Sequence, residues 1–180
     1  RLMNLMGPRA RHTILSAAPE ALGARAAIDP AIAVEFPGDA PPLHGKPGLA
    51  RYRALAAYMR RFDLVLSYNW GSMDGVMAHR LFAPFRDLPP LIHPEDGFNE
   101  GESVRRNPRR NLFRRLALPT AEALVVPSTL LQGIAAAEWG ARRRTALTRN
   151  GIAVAAYAPP PSLAIPGLER RAGDVVIGTV

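Results

Sequence analysis

The feature that most limits how this chain can fold is its alternation between short apolar runs and stretches of helical period. Apolar runs occupy residues 12–18, 31–36, 63–68, 90–93, 123–126, 145–149 and 174–180. Between them the spacing changes: over 48–62 the apolar positions are Tyr52, Leu55, Ala56 and Met59, the pattern of one helix face, with Arg51, Arg53, Arg60 and Arg61 mostly off it. Runs of strand length that alternate with helices of about a dozen residues build βαβ units, whose strands lie parallel in one sheet.

Local punctuation supports the same reading. Leu2, Met3, Leu5 and Met6 before Gly7 suit the last turns of a helix with a glycine cap. A weak Ala-rich helical turn follows at 20–27, and Pro37, Pro41, Pro42 and Pro47 mark 37–47 as a surface loop. Ser72 stands as N-cap of a helix carrying Val76, Met77, Ala78 and Leu81. Asn107-Pro108 announces another helix, with Leu112, Phe113 and Leu116 on its packing side and Arg110, Arg114 and Arg115 on the other. Pro127-Ser128 starts a helix that runs to Trp139-Gly140, and Asn150-Gly151 is a turn signal. The predicted organisation is a domain over 1–154, a proline-rich linker over 155–173, and a strand at 174–180 that opens a second domain. The predicted fold class is α/β: a Rossmann-like open parallel sheet with helices on both faces.

Composition narrows the function classes. The 180 residues are 48% hydrophobic, enough for a full core. The absence of Cys excludes disulfides, thiolate nucleophiles and cysteine metal sites. No run approaches the roughly 20 apolar residues of a membrane span, and none reads as a signal peptide, so the expected location is cytoplasmic, with peripheral contact at the inner membrane face. Net charge is +8, nearly all of it from Arg with Lys46 the single lysine, which favours nucleic acid, acidic lipid or phosphorylated partners. His12, His44 and His79 lack a second ligand at metal spacing, so no metal is predicted.

Residues 90–98 concentrate chemistry: an apolar run ends in His93, then Pro94, Glu95, Asp96, Gly97 and Phe98 follow with no room for a helix. In open α/β sheets ligands bind beyond the carboxyl ends of strands, where such a cluster would stand. A polar turn with an incidental histidine explains the same residues. Glu95 and Asp96 have the chemistry to orient a hydroxyl or take its proton, or to cap the turn and pair with the Arg-rich helix. Adjacent residues point apart, so they are a poor acid/base couple across one bond. Asn69 and Trp70 end an earlier strand and belong at the same sheet edge.

The order of these features resembles the N-terminal domain of bacterial family 4 glycosyltransferases. A strand ending Ser-Tyr-Asn-Trp precedes a small-residue helix, a strand ending in His, an Asp-Gly-Phe turn and an Arg-rich helix. Val125-Val126-Pro127-Ser128, a helix closing on Trp-Gly, and Arg149-Asn150-Gly151-Ile152 complete the series. The resemblance implies the two-domain GT-B architecture and an enzyme, a retaining hexosyltransferase. Its donor would be a nucleotide diphosphate sugar, with no further cofactor, and its acceptor a lipid-linked or saccharide chain of cell-surface polysaccharide or glycolipid. His93, Glu95 and Asp96 are then the catalytic candidates, and Asn69, Trp70, Gly97, Phe98 and Ser128 the substrate-binding ones. Arg106, Arg110, Arg114 and Arg115 would form a basic patch for the acceptor diphosphate or anionic membrane. The family's first strand and glycine-rich loop would precede residue 1, its C-terminal nucleotide-sugar domain would begin near 174, and Ala153 replaces its usual Asp. A fragment lacking those parts is expected to be inactive alone. The alternative is a non-catalytic basic module for nucleic acid or anionic membrane. Nucleic acid is not the expected partner, because no aromatic residues interleave with the arginines.

Overall fold

The computed structural model describes residues 2–18, 20–85, 87–98, 102, 105–152, 154–157 and 169. The chain divides into two units, 1–149 and 150–180. In the second, Val154–Tyr157 forms a single 3-10 turn. The strand predicted at 174–180, and the linker beyond 157 apart from Glu169, lie outside the described residues.

In the first unit, helix α1 (Leu2–Met6) ends at Gly7, whose φ of 57° is the left-handed conformation a helix-closing glycine supplies. Strand β1 (His12–Thr13) pairs in parallel with β2 (Val34–Glu35), His12 opposite Val34 and Thr13 opposite Glu35. Both strands are shorter than the apolar runs that contain them. The Ser16 hydroxyl bonds the backbone of Ala18, and Asp29 takes the N–H groups of Ala31 and Ile32. Side chains that satisfy neighbouring backbone groups compete with sheet pairing and turn the chain away. The Ala-rich turn is a 3-10 segment, Gly23–Ala27.

Helix α2 (Leu49–Met59) buries the predicted face through Leu55, Ala56 and Met59. Strand β3 (Val65–Leu66) follows, then α3 (Met73–Phe82). Gly75 of α3 faces Met59 of α2: a Cβ there would meet Met59 Cε at 3.3 Å, a tight contact. Strand β4 (Leu91–Pro94), α4 (Pro108–Ala117), β5 (Ala123–Val126), α5 (Thr129–Glu138) and β6 (Thr145–Leu147) complete the unit. Helical crossovers make β3-β4-β5-β6 a parallel sheet in sequential order, separate from the β1-β2 pair. The α/β class with an open parallel sheet is therefore the fold of the chain.

Helix ends in this part of the unit follow the sequence at three places and depart from it at one. Asn107 accepts from the N–H groups of Arg109 and Arg110 with Pro108 behind it, and Ser128 accepts from Leu131 N–H at 3.2 Å. Gly140, at φ 69°, closes α5 while Ala141 N–H returns to Ala135 O. Ser72 holds the N-cap position of α3 but donates its hydroxyl backward to Tyr68 O and Asn69 O. A 3-10 turn, Trp70–Ser72, precedes the helix and brings those carbonyls within reach.

Successive strand residues face opposite ways, so the register His93 to Leu124 and Val65 to Leu91 sorts the sheet into two faces. One face sets Leu91, Leu124 and Val126 against Met73, Val76 and Met77 of α3, Ala117, Leu118, Leu131, Ala135 and Trp139; this is the core. The other face carries Leu64, Leu66 and Tyr68, all exposed. No helix among the described residues is long and apolar enough to cross a membrane.

Helix α4 keeps the predicted faces at Phe113, which packs, and Arg115, which is exposed, and reverses them at Leu112, Leu116, Arg110 and Arg114. Leu112 and Leu116 are 56% and 54% exposed, whereas Arg114 is 1% exposed and Phe113 is half-buried. The packing side thus consists of Arg110, Phe113, Arg114 and Ala117, for a reason that lies at the tips of the strands.

Candidate functional site

His93, the third residue of β4, is fully buried. Its Nδ1 lies 2.9 Å from Ser67 Oγ at the end of β3, and its Nε2 3.6 Å from Glu95 Oε2. A carboxylate beside Nε2 favours the proton on that nitrogen, which leaves Nδ1 to accept from the Ser67 hydroxyl. Glu95 extends the strand, its N–H donating to Val125 O at 2.9 Å, and turns its carboxylate inward. There Oε2 accepts from Arg114 Nε at 3.2 Å.

Arg114 reaches this point from α4 and is the centre of the buried charge. Its other arm approaches Glu102 Oε1 at 3.5 Å, and Glu102 also accepts from Arg110 at 2.9 Å and from Asn107 N–H at 3.2 Å. Burial alone would raise the Glu102 carboxyl. The Arg110 and Asn107 hydrogen bonds and the charges of Arg114 and Arg110 outweigh that effect and hold it below the ordinary 4.5. Three rings enclose the Arg114 guanidinium: Trp70 at 5.1 Å, Phe98 at 5.2 Å and Trp139 at 5.2 Å. Their electron-rich faces attract a cation that has lost its water. Phe98 and Trp139 meet edge to face at 6.1 Å, and Trp139 Nε1 donates to Asn111 Oδ1 at 2.5 Å.

Above this buried layer lies an exposed one. Asn69 has φ 52° and ψ −169°, a conformation populated almost only by glycine. Its N–H donates to Pro94 O at 3.0 Å, and its Oδ1 accepts from Asp96 N–H at 2.7 Å, so it clasps the tips of β3 and β4 together. Asp96 itself is exposed, as is Tyr68 beside it. Burial first, and then the Asp96 charge, raise the Tyr68 phenol above its ordinary 10.0. Gly97 follows at φ 147°, where any side chain would be strained. Glu95 and Asp96 point apart, one into the protein and one out.

No protein-family model matches this chain, and no curated protein matches it.

The predicted residues thus fall into three groups. His93, Glu95, Trp70 and Phe98 meet around Arg114; Asn69, Asp96 and Gly97 share the exposed edge; Ser128 spends its hydroxyl on capping α5. The predicted basic patch is corrected. Arg114 is buried against Glu95, Arg110 pairs with Glu102, and Arg106 pairs with Glu138 through two of its nitrogens, Nε and Nη2. Only Arg115 of the four is exposed and without an ion pair among the described residues. Arg110 and Arg114 turn inward because the carboxylates of Glu95 and Glu102 stand where α4 packs, while Arg106 stays at the surface. Ser67, Tyr68, Glu102 and Trp139 were not predicted as site residues. Ser67 carries a signal, a hydroxyl at a buried alternation position of a strand; Trp139 carries none, since its partner Asn111 is 28 residues away, and Glu102 is a single carboxylate just ahead of the Arg-rich helix it pairs with. Among the described residues no cluster of His, Asp and Glu is arranged to hold a metal ion.

Proposed function

We propose that this chain is the acceptor-side domain of a GT-B sugar transferase that moves a hexosyl unit from a nucleotide diphosphate sugar to a polysaccharide or glycolipid acceptor. The observation that supports this reading is the strained Asn69, clasped to the Asp96 N–H at the carboxyl ends of two parallel strands. Ligands of open α/β sheets bind at such ends. A non-glycine residue in that conformation costs roughly 1–3 kcal/mol and persists where its surroundings impose it, most often at a site that uses the geometry.

In the transfer, the acceptor oxygen bonds to the sugar C1 as the C1–oxygen bond to the diphosphate breaks, and the nucleoside diphosphate leaves. Asp96, the exposed carboxylate at the edge, orients the acceptor hydroxyl and takes its proton. Full burial removes His93 from direct contact with a sugar in this conformation. With Ser67, Glu95 and Arg114 it acts as a positioning residue that holds the 95–97 segment under the acceptor.

Transfer of labelled sugar by the complete polypeptide tests this. Asp96→Asn is expected to lower kcat about a hundredfold with the donor KM little changed. His93→Ala should lower turnover while a folded circular dichroism spectrum is kept. Near-normal turnover in Asp96→Asn would remove its assigned role, and no transfer or donor hydrolysis by the wild-type protein across a panel of nucleotide sugars would sink the function itself.

A further inference from the structure

The outer face of α4 is neither a solvated charge face nor a packed apolar one. Leu112 and Leu116 are more than half exposed, and on the helix Arg109 and Arg115 each stand three residues from Leu112, one stripe along it, with exposed Arg105 just before the helix start. The segment Pro108–Ala117, PRRNLFRRLA, contains no acidic residue. Arg106, Arg110 and Arg114 spend their charge on Glu138, Glu102 and Glu95, whereas Arg105, Arg109 and Arg115 make no ion pair among the described residues. Uncompensated guanidinium groups and unburied leucines therefore alternate on one surface.

From this we propose that the outer face of α4 docks on an anionic lipid bilayer, with the helix axis in the membrane plane. Such a surface uses both halves of the stripe: leucines enter below the headgroups, while arginine stems lie along apolar surface and set their charge at the phosphates. A soluble polyanion would use the arginines and leave the leucines in water. For nucleic acid the face also lacks an aromatic platform, since Trp70 and Phe113 are half-buried against the domain. A second copy of the chain would bring two like-charged stripes together, which costs energy. The net charge of +8 adds a longer-range attraction to the same kind of surface. None of this depends on the sugar-transfer reading.

Sedimentation of the full chain with vesicles tests it, at about 0.1 M salt, where charge screening still leaves a range of about 10 Å. The protein is expected to pellet with phosphatidylcholine vesicles that contain phosphatidylglycerol and not with phosphatidylcholine alone. Leu112→Ser/Leu116→Ser should lower the partition coefficient about tenfold, and Arg109→Gln/Arg115→Gln at least about tenfold. Leu130→Ser is the control: this α5 leucine is 75% exposed but stands outside the stripe, and its loss should leave partition unchanged. Circular dichroism verifies that each variant is folded. No pelleting with anionic vesicles overturns the proposal. So does partition that survives the leucine pair and falls only with the arginine pair, which would mark a general polyanion site for which RNA competes.

Discussion

The two faces of α4 reverse the usual arrangement. Its inner face carries a fully buried arginine, and its outer face carries two exposed leucines. Helix α2 in the same unit buries an apolar face, Leu55, Ala56 and Met59, and leaves Arg53 outward; its one inward arginine, Arg51, sits at the margin and pairs with Asp74. The contrast shows what a buried charge requires. Desolvating a guanidinium costs several kcal/mol, and only good geometry with further hydrogen bonds offsets it. Arg114 meets that condition with Glu95, Glu102 and three aromatic rings, none of which lies on its own helix.

Removing the cation breaks the comparison most severely. Arg114→Ala leaves Glu95 buried without its cation and Glu102 with only Arg110 and the Asn107 N–H, and the expected loss is about 3–5 kcal/mol in urea denaturation. Arg114→Lys should recover only part of it, because an ammonium neither forks between two carboxylates nor stacks as a plane. A loss under about 1 kcal/mol for the alanine variant would show that the network is open to water.

Acid titration sharpens the comparison at intermediate size. Glu102 is held below 4.5 in the folded protein, so its contribution is complete above that pH and is lost as pH falls through the depressed folded value. His79, on α3, is held below 6.5 by burial, partly offset by its hydrogen bond to Pro89 O. It stays neutral in the folded chain while the unfolded chain gains a proton, so its share of stability is lost from about pH 6.5 downward, before that of Glu102. Stability measured against pH should therefore decline in two stages. His79→Gln should flatten the first and Glu102→Gln the second; a decline unchanged in both variants would assign it elsewhere.

The outer face should give the smallest effect on stability. Leu112→Ala and Leu116→Ala are each expected to change unfolding free energy by no more than about 0.5 kcal/mol, as for surface positions with no packing role. A larger loss would mean that the outer face packs after all, and the contrast within α4 would disappear.

How much was legible differs between fold and site for a physical reason. The turns and caps at Gly7, Asn107-Pro108, Ser128 and Gly140 could be read because each acts within a few residues of itself. The strand-tip cluster could be located because strands that alternate with helices must end at a common edge. Its internal division could not. Whether His93 faces solvent or Arg114 depends on a helix that begins fifteen residues later, and Asn69 reaches Asp96 across 27 positions of sequence.

By itself, the sequence determined the α/β class, the parallel order of the central strands and the place where polar chemistry gathers. Period and punctuation are local properties, and they survive without knowledge of neighbours. Only the tertiary structure decided which face of α4 turns inward. A count of apolar residues favours burying Leu112 and Leu116, but the carboxylates of Glu95 and Glu102 approach from other segments and draw Arg114 in. The leucines then face out because the charge on the opposite side of the helix has the stronger claim to a partner.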